Sequence, residues 1–209
     1  MKKLLLTTAA CAVLASSPAF AAEGDFFVGL NGGWSKLSKV KGFKSKNDAF
    51  VGVGVGYSIM DNVRIDLTFD HDFNPEFTKT DSVQKIGYIK TIKSKVKLNI
   101  NSLLLNTYVD LFDVSIFKMY VGAGVGASRI DTKINSNYSY DDGTPSRDSN
   151  AKIKAKNYFA YALQIGASAE VAPGVHADLS YKFKDNGKDK TNKKQIQAHQ
   201  VGAGVRFEI

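Results

Sequence analysis

Val51-Gly52-Val53-Gly54-Val55-Gly56-Tyr57-Ser58-Ile59 decides the fold. Large apolar residues occupy every odd position and glycine or serine every even one. Side chains on an extended strand alternate between faces with period two, so one face here is greasy and the other nearly bare. Glycine inside a strand normally weakens it. Three in alternation make sense where the second face has no room, as in the interior of a narrow barrel.

The same alternation recurs on both sides. Phe26, Val28, Leu30 and Trp34 share a face against Gly29, Asn31 and Gly33. Val63, Ile65, Leu67 and Phe69 alternate with Arg64, Asp66, Thr68 and Asp70, and Phe117 to Val125 alternates with Lys118, Tyr120, Gly122, Gly124 and Gly126. Further strands are read over Phe159–Val171, Val175–Phe183 and Val201–Ile209. In the fourth strand the apolar parity changes between Val96, Leu98, Ile100 and Leu103, Leu105, Val109. A one-residue slip reverses faces, so a bulge, or a strand top clear of the membrane, is expected near Asn101-Ser102.

The connections alternate in length. Met60-Asp61-Asn62, the region of Asp113 and Ala172-Pro173-Gly174 are short; Lys36–Asp48, His71–Ser94, Asp131–Lys156 and Asp185–Lys194 are long and polar. Short periplasmic turns and longer outer loops are the asymmetry of outer-membrane barrels. The expected fold is therefore all-β: an eight-stranded antiparallel transmembrane β-barrel with four longer extracellular loops. Phe26, Trp34, Tyr57, Phe69, Tyr108, Phe117, Tyr158, Phe183 and Phe207 are read as its interfacial girdles. A soluble sandwich also alternates, but it has no use for a glycine-lined second face.

The first residues read as an export signal. Lys2 and Lys3 precede an apolar core from Leu4 to Leu14, and Ala19-Phe20-Ala21 is an A-x-A cleavage site. Residues 1–21 are expected to be removed and residues 22–209 to form the barrel. Cys11, the one cysteine, lies in that signal, so the exported part has no disulfide. Losing two lysines lowers the net charge from +8 to +6. A basic balance can serve nucleic acid, anionic lipid or an acidic polysaccharide, and export points away from nucleic acid. No apolar run approaches the ~18 residues that would suggest a membrane helix.

The chain resembles the opacity-type, outer membrane protein A-like family of eight-stranded surface antigens and, within it, the candidate surface adhesins of rickettsiae. Phe27-Val28-Gly29, Tyr120-Val121-Gly122-Ala123-Gly124-Val125-Gly126 and Val201-Gly202-Ala203-Gly204-Val205-Arg206-Phe207 carry the likeness, which covers nearly all of residues 22–209. Family barrels commonly end in an aromatic residue; here Glu208 and Ile209 follow Phe207. The resemblance implies host-cell attachment and binding of serum glycoproteins such as vitronectin. No peptidoglycan-binding domain follows the last strand, so the tethering role of larger two-domain relatives is not expected.

Two surfaces could carry function. Arg64, Asp66, Asp70, Asp110, Lys118, Glu170, His176, Asp178, Lys182 and Arg206 are expected to face the lumen and plug it with ion pairs, because eight strands leave space only for side chains. A small channel is the rival. His176 and Asp178 alone do not make a hydrolase, which needs a nucleophile or activated water oriented by a base, and no cofactor or metal is expected. The outer loops are the expected binding surface, since loops on a rigid scaffold carry recognition. The candidates are Lys36, Lys39, Lys41, Lys44, Lys46, Lys90, Lys93, Lys95, Tyr138, Tyr140, Arg147, Lys188, Lys190, Lys193 and Lys194, and Lys184 is read with the basic group of the fourth loop. Their partner would be a host glycoprotein such as vitronectin or a sulfated glycan, drawn in by charge and sensitive to salt; outer-membrane lipid would surround the barrel. A solvated basic rim without a ligand is the plainer reading.

Overall fold

A computed structural model describes residues 24–38, 44–45, 48–73, 75–85, 88–140, 146–188 and 195–209. The expected signal peptide lies outside the described residues. Ten strands follow in order: β1 (Phe26–Leu37), β2 (Lys44–Ser45), β3 (Asp48–Met60), β4 (Val63–Asp72), β5 (Glu76–Lys85), β6 (Tyr88–Val114), β7 (Phe117–Tyr140), β8 (Arg147–Ala172), β9 (Val175–Lys188) and β10 (Gln195–Glu208). Eight of them form a closed antiparallel ring, β1-β3-β4-β6-β7-β8-β9-β10, sealed by β1 against β10. Closure leaves no open sheet edge at membrane depth, where an unpaired backbone group has no water to turn to. β2 and β5 lie outside the ring, β5 pairing with the upper half of β6.

The three short turns centre on Asp61-Asn62, Ser115-Ile116 and Pro173-Gly174. Gly174 takes a φ of 70°, a left-handed backbone that glycine enters without a steric penalty. The middle turn lies two residues beyond Asp113.

The apolar parity of each strand faces out. Leu30, Val53, Leu67, Leu105, Val125, Leu163 and Val205 are all exposed. On β7 this face runs from Phe117 to Ala127. Ten steps of ~3.3 Å, tilted by ~40°, give roughly 25 Å of height, matching the usual apolar band of such barrels. Two residues assigned to the girdles point elsewhere. Tyr108 is buried in the lumen, and Tyr158 packs on an interior apolar cluster. Both have inward parity, which outweighs their position near a strand end.

The inward glycines are seats for neighbouring rings. A methyl group on Gly122 would stand 2.4 Å from the Tyr108 ring, and one on Gly166 2.5 Å from that of Tyr120. Gly202 likewise lies under Phe50, and Gly56 under Phe27.

The outer connections differ from expectation. β6 continues upward to Tyr88, β7 to Tyr140, and β8 starts at Arg147, so much of what reads as polar loop is paired strand. Pairing through Asn101↔Arg129 and Ser102↔Ser128 is unbroken, which excludes a bulge there. The other expectation, a strand top clear of the membrane, accounts for the change of parity, because Leu103 is the last outward apolar residue of β6 among the described side chains. Leu98 and Ile100 keep the inward direction of Leu104, and they join Leu37, Ile130 and Ala198 in a buried apolar cluster at the outer end of the lumen.

Candidate functional site

The lumen is filled in layers. Near the short turns, Arg64 Nη1 lies 2.6 Å from Asp110 Oδ1, and His176 Nε2 lies 2.8 Å from Glu208 Oε1. Arg206 lies between Asp178 and Glu208, at 3.8 and 3.7 Å. His176 therefore pairs with Glu208 rather than with Asp178. The Arg64 guanidinium also stands over the rings of Tyr108 and Tyr120, at 5.0 and 4.6 Å, an arrangement that stabilises a desolvated cation. Above it, Asn106 and Thr68 donate to Asp66 Oδ1 at 2.6 and 2.8 Å, beside a cavity of about 70 Å³ lined by both charged and aromatic side chains.

The next layer is fully buried. Lys182 Nζ donates to Asp70 Oδ2 at 3.1 Å, and Lys184 Nζ donates to Asp72 Oδ2 at 2.7 Å, with Asp70 Oδ2 3.8 Å away. Gln200 donates to Asp72 Oδ1 at 2.7 Å. Two cations and two carboxylates neutralise one another where an isolated charge would be very costly. The apolar cluster of Leu37, Leu98, Ile100, Ile130 and Ala198 covers this layer on its outer side.

This arrangement corrects three assignments. Lys184, by sequence part of the fourth loop's basic group, has no exposed surface and belongs to the plug. Lys118 and Glu170 are exposed at the periplasmic mouth, where Glu170 accepts from the Gly174 amide at 3.3 Å. Asp72 and Gln200 were missed because both stand near strand tops, where the lumen was expected to have ended.

The second surface is the wall that β5, β6, β7 and β8 raise above the ring. Residues directly opposite on paired strands share a face. Lys97 stands across from Lys133, and Lys133 across from Lys152, which makes one row of three lysines. Lys95 and Lys93 continue that face upward on β6, opposite Asn135 and Asn137, while Lys154 lies on β8 where the register with β7 shifts. The parity is that of Leu103 and Leu105, so the row looks away from the barrel axis. Glu76 lies 3.8 Å from Lys95 and 3.7 Å from Lys97, and Asp148 accepts from Asn137 at 2.7 Å. With Asp131, these acids are outnumbered by the five lysines of the face, Lys93, Lys95, Lys97, Lys133 and Lys152. A shallow depression of about 390 Å³ lies among Lys93, Lys95, Asn135, Asn137, Asp148 and Asn150.

The expected loop residues are distributed as follows. Lys93 and Lys95 are exposed on this wall, and Lys36 is exposed on β1 opposite His199. Tyr138 is half-buried on β7. Lys44, Lys90, Tyr140, Arg147 and Lys188 occupy strand positions in β2, β6, β7, β8 and β9. Lys39, Lys41, Lys46, Lys190, Lys193 and Lys194 lie outside the described residues. Lys97, Lys133, Lys152 and Lys154 were not among the candidates. Their signal was present, since Lys93-Lys95-Lys97 and Lys152-Lys154 already recur at the strand period of two.

A closed eight-stranded ring with a lipid-facing apolar parity and a packed polar interior defines an outer-membrane β-barrel. The chain belongs to the outer membrane protein beta-barrel domain family, which it matches over residues 7–207. Curated relatives include a Rickettsia bellii protein named as a candidate adhesin, 36% identical over an alignment of 231 residues covering 100% of both chains. A Rickettsia felis protein of the same description is 34% identical, again over 100% of both. Among solved structures, Neisserial surface protein A is similar in fold, with a TM-score of 0.55, 17% identity, and coverage of 88% of this chain and 97% of that one. The protein is thus an outer-membrane barrel with adhesin-named relatives.

Proposed function

We propose that the protein is a non-enzymatic surface adhesin, which attaches the cell to a host-surface or serum glycoprotein through basic extracellular residues. Vitronectin, implied by the family resemblance, is the first ligand to try. The single observation behind this reading is the row Lys97–Lys133–Lys152. Like charges placed directly opposite across strands are destabilising, and Glu76 reaches only Lys97 of the three. An anionic ligand would relieve that repulsion.

The height of the row favours a ligand beyond the bilayer. From the last apolar row, Leu103–Ala127–Phe159, to Lys97–Lys133–Lys152 is six residues along β6. That is about 20 Å of strand, or about 15 Å of height at the usual tilt, against an interfacial layer of only ~5–7 Å. Arg129, two residues above Ala127, is the cation at headgroup depth. The lysine row stands clear of it.

The test is binding of the refolded barrel, held in lipid nanodiscs, to host cells and to immobilised vitronectin. Replacing Lys97, Lys133 and Lys152 by glutamine is expected to weaken binding about tenfold and flatten its salt dependence. Replacing Lys39, Lys41, Lys44 and Lys46 tests the first loop in the same way. Binding that survives both sets and high salt would refute the electrostatic account. No binding at all would leave a structural barrel without a dedicated ligand.

A further inference from the structure

β8 pairs with β9 only from Tyr161 onward, whereas it pairs with β7 up to Arg147. Among the described residues, the stretch from Arg147 to Asn157 therefore has a strand on one side only, since Gly187 of β9 still lies against Tyr158 and Phe159. Asp148 to Lys154 are exposed at every position rather than at alternate ones, as a strand open along its margin should be. Alternate residues of such a margin direct N–H and C=O groups away from the sheet, a template for one more strand.

The side chains along this margin select what could be added. Lys152 stands on the outer face, with Lys133 and Lys97 behind it, Lys154 follows within the irregularity where the β7 register shifts, and Ala151 and the exposed Ile153 stand on the other face. Lysines along an edge discourage pairing with a second copy of the same edge, because both copies would bring the same charges together. The same lysines attract a strand with acidic residues at alternate positions and apolar residues between them.

We propose that the upper margin of β8 takes up an extended acidic segment of a partner protein as an added β-strand. This rests on the adhesion reading and gives its partner a chemistry: backbone hydrogen bonds supply register, and Lys152 and Lys154 select carboxylates. It also separates a protein ligand from a sulfated glycan, which has no peptide backbone to pair.

The experiment uses the full barrel in nanodiscs and a fluorescent peptide alternating Glu and Val between Thr ends. Two further peptides are N-methylated at alternate residues, one for each edge. Heparin is the glycan probe, and host-cell binding is measured on the same preparations. The parent peptide is expected to bind and to protect amides between residues 148 and 156 from exchange. One N-methylated peptide should lose at least about tenfold in affinity while the other keeps it, and Lys152→Gln with Lys154→Gln should cost a similar factor. Equal binding by all three peptides would overturn strand addition, because the backbone would then be unused. Host-cell attachment or heparin binding without peptide binding would overturn it too and leave the adhesion reading standing. Loss of host-cell attachment with no peptide binding would remove both.

Discussion

Substitution of Lys184 by methionine tests the charged plug at its most buried point. The ammonium of Lys184 has no exposed surface, contacts Asp72 at 2.7 Å and lies 3.8 Å from Asp70. Removing it leaves two carboxylates facing one remaining cation, Lys182, in a water-poor interior. Breaking a buried pair by deleting one partner typically costs ~3–5 kcal/mol. Lys182 still holds Asp70, and Gln200 still donates to Asp72, which places the cost near the lower end, about 3 kcal/mol, or more than a hundredfold in the folding constant. The double variant Asp72→Asn with Lys184→Met restores neutrality and keeps an acceptor for Gln200, so it should lie within ~1 kcal/mol of the parent. Urea titration in lipid vesicles, followed through the emission of Trp34, the only tryptophan, measures both. If Lys184→Met is as stable as the parent, or the double variant no better than the single one, the interior is wet and the plug is not holding the fold.

Two further outcomes follow from the interior. Gly122→Ala should destabilise the barrel by about 1–3 kcal/mol through the Tyr108 ring, while Gly29→Ala, whose added carbon meets nothing within 4 Å, should be nearly neutral in the same titration. In a planar bilayer the protein should give no discrete conductance steps, because the ion-paired layer lies beneath a buried apolar cluster; uniform steps would show that the lumen opens.

The ring was legible because lipid imposes a rule on every outward residue within the membrane. Val51-Val53-Val55 and Leu163-Ile165 can be read without any neighbour. Above the bilayer that rule lapses. Both faces of β6 beyond Leu98 and of β7 beyond Ile130 meet water or each other, so polar residues at Ser94, Lys95, Asn135 and Ser136 are compatible with strand and loop alike. What makes them strand is partnership, since Lys95 has Thr78 on one side and Asn135 on the other, and no single segment announces its partner. The same limit hid the basic row: Lys97, Lys133 and Lys152 are far apart in sequence and become neighbours only through registers that span two hairpins. Lys184 was misread for the opposite reason. The residues that follow it, Asp185-Asn186-Gly187-Lys188, are polar and loop-like, yet they belong to β9, and the parity of Lys184 turns it inward.

The account depends most on which side of the wall each parity occupies. Introducing cysteine one residue at a time from Leu98 to Leu111 on β6, in a chain carrying Cys11→Ser, and attaching a spin label reads this directly in a lipid bilayer. Oxygen, which concentrates in lipid, should broaden labels at positions 103, 105, 109 and 111 but not those at 104, 106 and 108. Position 99 should respond to a water-soluble relaxant instead. Uniform access along the strand, or water access at 103 and 105, would contradict the barrel and the adhesion proposal built on it.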